Sequence, residues 1–382
     1  MKVKVLLISA LAMLSVGCKS ETDIATNTTR LVGWSIEDNA TDISADQRVV
    51  GTFSRSMDKA STESAISATP SVTLVFSWSE DQTQVTIAPT PAWGYQTQYS
   101  LALASSAKNL DGDQIDEAGS LRFTTQSDPY AHATYVAAGP QRTCAIYSTG
   151  VACWGVDMTS AKPSPPTLSN PTQVGVAYAG ACAIDDTGLV CWGYYSPTEI
   201  TSPTDLSMGG GWENNLCALG SSGVVCKGQA TEVPTLVNPT QVSVGAGHAC
   251  ALDDTGVVCW GDNQQGQATP PTLSNPTQVS AGGWHTCALD SAGVVCWGLN
   301  TYGQATPPTL SNPTQISAGG FSTCAIDDSG VVCWGTLSSQ VPMPTSFTKV
   351  TQISHGTEHV CAIDDNQVVC WGANSWGEST PL

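Results

Sequence analysis

The chain has 382 residues, enough for two or more domains that each bury a core. Only 12% of residues are charged, while 36 Gly and 22 Pro supply turns, a composition of many short strands rather than of helical bundles. Acidic residues outnumber basic ones 32 to 13, the net charge is −19, and no Lys/Arg run occurs, which excludes nucleic acid as a partner because its phosphates would be repelled.

Residues 1–17 carry Lys2 and Lys4, an apolar run from Val5 to Val16, and Gly17. A basic start and an apolar stretch too short to span a bilayer predict an export signal. The segment Leu14-Ser15-Val16-Gly17-Cys18 resembles the lipobox of bacterial lipoproteins, with Ser15 where that motif usually has Leu. The resemblance implies lipid on Cys18. With Lys19 rather than Asp following, it also implies delivery to the outer membrane of the cell envelope, on its periplasmic or its outer side. Cys18 and the polar residues up to 29 then form a tether.

Residues 30–125 contain no cysteine and alternate in short strand-like runs. Thr73 to Trp78 and Gln84 to Ile87 are predicted strands, split by turn residues Ser79 to Gln82. The landmarks Phe53-Ser54-Arg55-Ser56-Met57-Asp58, Tyr99-Ser100-Leu101-Ala102-Leu103 and Phe123-Thr124-Thr125 resemble the bacterial Ig-like domain of S-layer and other surface proteins. That resemblance implies a β-sandwich serving mostly as a spacer. Asp111, Asp113 and Asp116 fit a solvated turn, the preferred reading, or a calcium loop.

After a linker at 126–134, residues 135–382 repeat a unit of the form Cys-Ala-Ile/Leu-x-x-x-Gly-x-Val-Cys-Trp-Gly seven times. The first cysteines of the units are Cys144, Cys182, Cys217, Cys250, Cys287, Cys324 and Cys361. Their partners, nine positions later in each unit, are Cys153, Cys191, Cys226, Cys259, Cys296, Cys333 and Cys370. Of fifteen cysteines only Cys18 is left over. In the fifth unit three strands are predicted, Thr277 to Ala281, His285 to Asp290 and Gly293 to Trp297. Turns every few residues and this period fit propeller blades or a β-solenoid; seven units without distinct capping ends favour a closed propeller.

In an exported chain such cysteines predict disulfides. With Asp254-Thr255 as a two-residue turn, Leu252 faces Val257 and Cys250 faces Cys259, at roughly 4.5 Å between Cα atoms. A three-residue turn with Gly256 as a bulge would place the sulfurs on opposite faces, and Gln367 at that position in the seventh unit argues against it. Metal binding is disfavoured because few histidines lie near each pair. Trp154, Trp192, Trp260, Trp297, Trp334 and Trp371 end six units, and core packing between blades is preferred over sugar-stacking platforms. The third unit has Lys227 there.

The segments Ala281-Gly282-Gly283-Trp284-His285-Thr286-Cys287-Ala288-Leu289 and Val294-Val295-Cys296-Trp297-Gly298 resemble the regulator of chromosome condensation repeat. The short unit and its Gly-Gln-Ala-Thr-Pro-Pro loop resemble the secreted β-lactamase-inhibitor propellers of that family, which are seven-bladed but lack the cysteine pairs. Together with the cysteine spacing, the resemblance implies an all-β chain, an Ig-like sandwich followed by a seven-bladed propeller of short, three-stranded blades that the cysteine pairs pin by disulfides. It also implies aromatic loop residues on one face that grip a partner.

No Ser/His/Asp set stands out, the Asp-Asp steps at Asp185, Asp253, Asp327 and Asp364 are turn residues, and His248, His285 and His359 fill a position that other units fill with Arg142, Gly180, Asn215 and Ser322. No enzyme activity, cofactor or metal is expected. Repeats differ where they meet partners. Before the second strand lie Trp212, Glu213, Trp284, Phe321 and Glu358, with His285 at its first position; after the Trp-Gly step lie Tyr194, Tyr195, Tyr302 and Trp376. These are the candidate partner-binding residues. The function read from them is a monomeric, membrane-anchored scaffold presenting a propeller face to a protein or glycan. The alternatives are a protein inhibitor of an extracytoplasmic enzyme and an exported polysaccharide-acting enzyme.

Overall fold

The computed structural model describes residues 28–156, 164–193, 200–209 and 215–381. The export signal, Cys18, Tyr194, Tyr195, Trp212 and Glu213 lie outside them. The chain divides into two units, Met1–Asp128 and Pro129–Leu382.

In the first unit, β1 (Leu31–Trp34), β3 (Val49–Phe53), β6 (Gln84–Thr90) and β5 (Thr73–Trp78) form one sheet in that order. A second sheet has the order β2 (Ala40–Ile43), β8 (Gly119–Thr125), β7 (Gln98–Leu103) and β4 (Ile66–Thr69). Alternation sends Val85 and Ile87 of β6, Tyr99, Leu101 and Leu103 of β7, and Leu121 and Phe123 of β8 inward. They meet Trp93 in one core. Trp93 sits edge-on to Phe123, ring centroids 5.2 Å apart, and its indole N–H donates to the Gln47 carbonyl. One element goes beyond the strand pattern, the helix α1 (Lys59–Ala65). Asp58 starts it by accepting from the Ser61 amide at 2.8 Å, and Thr62 and Ala65 bury its inner face. In the acidic loop, Asp111 pairs with Arg55 at 3.6 Å and the Asp113 amide donates to the Asn109 side chain.

The second unit is seven three-stranded antiparallel sheets, each with inner, middle and outer strands in chain order. In blade 5 these are Gln278–Ala281, His285–Asp290 and Gly293–Gly298. Cys287 pairs with Cys296 and Asp290 with Gly293, the register of a two-residue turn. The same register recurs in every blade, and all seven expected disulfides form. Cys144 bonds Cys153, Cys182 bonds Cys191, Cys217 bonds Cys226 and Cys250 bonds Cys259. Cys287 bonds Cys296, Cys324 bonds Cys333 and Cys361 bonds Cys370. Their Cα atoms lie only 4.0–4.1 Å apart, closer than the spacing of about 4.5 Å expected for such a cross-strand site. The two cysteines of a pair differ in burial, which the repeat alone does not reveal. The middle-strand member is buried in every blade, whereas Cys153, Cys191, Cys226, Cys259, Cys296 and Cys333 on the outer strands are half-buried. Cys370 departs from them, buried with Trp371 in blade 7.

The first residue after most of these turns is glycine because φ there is positive, +117° at Gly256. Blade 7 moves the positive φ to Asp365 (48°) and Asn366 (66°), the dihedral pattern of a tight hairpin turn, so Gln367 is accommodated.

An inner strand has no strand partner on its channel side, which would leave backbone polar groups unpaired. In most blades glutamine and serine side chains of the preceding blade supply the partners, and Asp205 takes the glutamine's place for the Val242 amide. The Gln278 side chain accepts from the Ile316 amide at 2.9 Å and donates to the Ile316 carbonyl at 3.0 Å; Gln315 does the same to Ile353. Ser280 accepts from Ala318 and Ser317 from His355, both at 2.9 Å. Gln352 and Ser354 of blade 7 bond Val136 and Ala138 of blade 1 identically, and the ring closes.

Loops leaving several of the outer strands make a second tie, although among the described residues the Trp192 and Trp371 indoles take no such bond. Trp297 and Trp334 donate their indole N–H groups to the carbonyls of Gln267 and Gln304, each on the loop from the blade before. Glu378, near the C-terminal end, offers the same carbonyl to Trp154 of blade 1 at 3.0 Å. Trp154, Trp192, Trp260 and Trp371 are buried, and Trp297 and Trp334 are half-buried.

Candidate functional site

Strand direction sorts the loops of the ring into two ends. At one end lie the turns between middle and outer strands. There Asp253 accepts from the Thr255 and Val237 amides, and Asp327 from those of Ser329 and Ser311, so these carboxylates hold turns together. At the other end the loops between inner and middle strands meet the loops leaving the outer strands. This second end carries the candidate residues.

Trp284 is 38% exposed and stacks on Phe321 of the next blade, with ring centroids 5.3 Å apart and planes 24° from parallel. Tyr302, 53% exposed, meets Phe321 edge-on at 5.2 Å. The three rings form one continuous cluster at the mouth of the axial channel, a cavity of about 230 Å³ whose wall includes Trp284, Gly283, Gly320 and Thr357. Trp376 (49% exposed) and Glu358 stand in water at the equivalent loops of blade 7.

The loop holding Tyr302 is fixed from within. Its amide donates to the Gln304 side chain at 2.9 Å, Asn300 accepts from the Ala305 amide and donates to Thr306, and Gly303 turns the chain at φ +79°. The loops of Gln265 and Trp376 use the same bonds through Gln267 and Glu378. Aromatic side chains are thus presented on preorganised turns.

His285 corrects the sequence expectation. It is fully buried, and its Nε2 lies 2.8 Å from the Thr323 hydroxyl of the next blade. His248 and His359 are buried alike, against Thr286 and Thr143. Each threonine hydroxyl donates onward to a loop carbonyl, of Gln267, Gln304 or Glu378, so the imidazole must be the donor at Nε2. Room for each ring exists because the inner strand ends in glycine: a Cβ on Gly245 would stand 2.4 Å from the His248 ring. Blade 6 has Ser322 instead of histidine, and His355 of blade 7 reaches back to it at 2.7 Å, filling the same slot beside Gly319. Burial drives all four imidazoles down, to about 4 for His248 and His355 and about 3 for His285 and His359. They are neutral mortar between blades 4 to 7 and blade 1.

A model of the bacterial Ig-like domain matches residues 25–125, and a model of the regulator of chromosome condensation repeat matches residues 240–267 and 277–304. No curated protein matches the sequence significantly. Among solved structures, the ectodomain of the Physcomitrella patens receptor kinase CR4 is 25% identical with a TM-score of 0.53, over 64% of this chain and 74% of that one. The CRINKLY WD40 ectodomain of the Arabidopsis thaliana receptor kinase ACR4 is 23% identical, TM-score 0.54, over 66% and 99%. Human WBSCR16 is 15% identical, TM-score 0.51, over 66% and 92%. The chain joins a bacterial Ig-like domain to a propeller of regulator of chromosome condensation-type repeats.

Proposed function

We propose that the protein is an exported binding scaffold, held to the membrane by lipid on Cys18, which presents the aromatic end of its propeller to a protein or glycan partner. The observation that carries the reading is the Trp284–Phe321–Tyr302 cluster, in which Trp284 and Tyr302 are exposed around a half-buried Phe321 on loops whose backbone is fixed. Exposed aromatics on a rigid frame are efficient anchors, since each gains roughly 1.5–3 kcal/mol when a partner fully covers it. Seven local disulfides suit an oxidising compartment, and two of the similar structures are receptor ectodomains.

Capture of partners from envelope extract on the immobilised full-length protein tests the reading. The combined variant Trp284→Ala, Phe321→Ala is expected to lose roughly tenfold or more in affinity for whatever is retained, about 1.4 kcal/mol, with a melting curve lowered by no more than the lost ring contacts supply, about 1 kcal/mol. Retention that is indifferent to both substitutions would move the binding surface elsewhere. Anchoring is tested separately: Cys18→Ser should abolish palmitate labelling and release the protein from the membrane fraction.

A further inference from the structure

The inference that follows rests on the proposed scaffold role and assigns the class of its partner. Blade symmetry defines the surroundings of the exposed ring face. Trp284 stacks on Phe321, the residue at the same position one blade on. One blade back, that position is Gly247, so the face of Trp284 turned away from Phe321 meets no side chain from its counterpart. Beside Gly247 stands a carboxylate: a Cβ there would lie 3.1 Å from the Asp262 Cβ and 3.8 Å from its Oδ2. The Asp262 carboxylate is held in place, Oδ2 by the Gln267 amide group at 3.0 Å and Oδ1 by the Gln264 amide at 3.1 Å. On the far side of the cluster, Glu358 occupies the same repeat position as Trp284 and Phe321 and is exposed.

An aromatic face beside a fixed carboxylate attracts a flat or compact cation, through the ring quadrupole and through charge. Among the described residues, exposed cations at this end are sparse; Lys227, at the close of the third blade's outer strand, is one. Arg142 is 8% exposed and donates to the Val156 carbonyl, and no exposed lysine or arginine lies on the loops at 139–142, 245–247, 282–284, 319–321 or 356–358. The whole chain, at net charge −19, favours the approach of a basic partner from a distance.

We propose that this end of the propeller receives a basic polypeptide segment, with an arginine or lysine side chain laid on the open face of Trp284 beside Asp262, and with Glu358 across the ring cluster facing the continuation of the segment. A neutral glycan would use the ring but not the carboxylates, and an acidic partner would be repelled.

Titrations of the full-length protein with three probes separate these possibilities: an unstructured peptide of alternating Arg and Gly, the same peptide with Glu for Arg, and a neutral β-linked hexasaccharide. The Arg peptide is expected to bind, more weakly as salt rises, and the Glu peptide not at all. Trp284→Ala should weaken the Arg peptide by roughly tenfold and Asp262→Asn by roughly three- to tenfold, in the range of a partly desolvated cation–π contact, while Trp284→Phe keeps most of the affinity. Charge attraction anywhere on an acidic protein is the trivial alternative, so the paired variant Asp254→Asn, Asp328→Asn, which alters exposed carboxylates at the opposite end, must leave binding unchanged. Equal loss in that pair, or no effect of Trp284→Ala, overturns the proposal. Binding of the hexasaccharide that depends on Trp284 but not on salt overturns the basic-partner assignment while leaving the scaffold reading standing. The scaffold reading fails instead if envelope capture ignores Trp284 and Phe321.

Discussion

The two units of this chain reach stability by different routes. In the Ig-like unit two sheets close over one core, in which Trp93, Phe123, Tyr99, Leu101 and Ile87 come together from distant parts of the sequence, without a cysteine. In the propeller no blade owns a core of that size. Each interface buries a handful of side chains, such as Ala249, Val244 and Trp260 against Cys217 and Leu219, and the rest comes from disulfides, from glutamine and serine side chains that mimic a missing strand, and from buried imidazoles. Three short strands bury too little to stand alone, so a repeat must be stapled within and mortared between.

Reduction is the strongest way to break this comparison. Each bridge closes a loop of about ten residues and contributes roughly 2–3 kcal/mol in the chain-entropy model, so seven together rival the net stability of a whole domain. Calorimetry of the full chain should show the propeller transition collapse after complete reduction in denaturant and alkylation, while the Ig-like transition stays where it was. Survival of the propeller transition would mean that its inter-blade contacts suffice.

Acid provides the next effect. The first unit has no histidine, because the sequence up to residue 131 contains none. The propeller buries four whose folded pKa values, about 3 to 4, lie below the unfolded value near 6.5. A depressed value means that the unfolded chain binds the proton first. The stability these groups contribute is therefore complete above about pH 6.5 and is lost as pH falls toward 4, at about 1.4 kcal/mol per histidine per pH unit within that window. Denaturant midpoints of the propeller should drop steeply between pH 6 and 4, and His248→Gln should flatten that slope. A midpoint insensitive to pH across this range would show that the imidazoles are not held neutral.

Much of this architecture was legible in the sequence because repetition amplifies local rules. The nine-residue offset of the cysteines, with Asp-Asp-Thr-Gly between them, admits a two-residue turn, and strand parity then decides which side chains meet; Cys250 opposite Cys259 follows. The terminal tryptophans were readable as core by the same repetition. Partnerships between blades were not, since they join residues 38 or 216 positions apart and depend on ring closure. A signal was available: Gln241, Gln278 and Gln315 stand at one position and Ser243, Ser280 and Ser317 two further on, polar where a buried strand would be apolar. His285 was misplaced for a similar reason. Its neighbour Trp284 faces water, and nothing in one unit tells which of two adjacent loop residues turns inward; the glycine that admits the imidazole and the threonine that receives it lie on different strands. His355 substituting for the absent histidine of blade 6 lies further still from any local rule, as does the helix at Lys59–Ala65, announced only by its Asp58 cap.

Single core truncations sharpen the contrast at smaller scale. Trp93 and Trp371 are each 1% exposed, and each changed to Ala should cost roughly 3–5 kcal/mol through the cavity left behind. Trp93→Ala is expected to lower only the first-unit transition and Trp371→Ala only that of the propeller. Trp297, half-buried though still bonded to Gln267, should cost less than Trp371. Equal losses at Trp297 and Trp371 would mean that the hydrogen bond of Trp297 to Gln267, which the Trp371 indole lacks, makes up for its shallower packing.

The smallest expected effect falls on the aromatic cluster itself, and it separates a surface built for contact from one built for support. Trp284 is open on the side of Gly247, so Trp284→Ala removes one stacked neighbour and little buried area, and the melting temperature should move by no more than a change of about 0.5 kcal/mol allows. Phe321 lies between Trp284 and Tyr302, and Phe321→Ala releases both rings, about 1 kcal/mol for the aromatic contacts. Tyr302→Ala should resemble Trp284→Ala, since its loop is held by Asn300 and Gln304 and not by its ring. Melting curves of the three variants check the ranking, with Phe321 alone showing a clear shift. A large loss at Trp284 would place that ring in the support of the channel mouth and remove it from the contact surface.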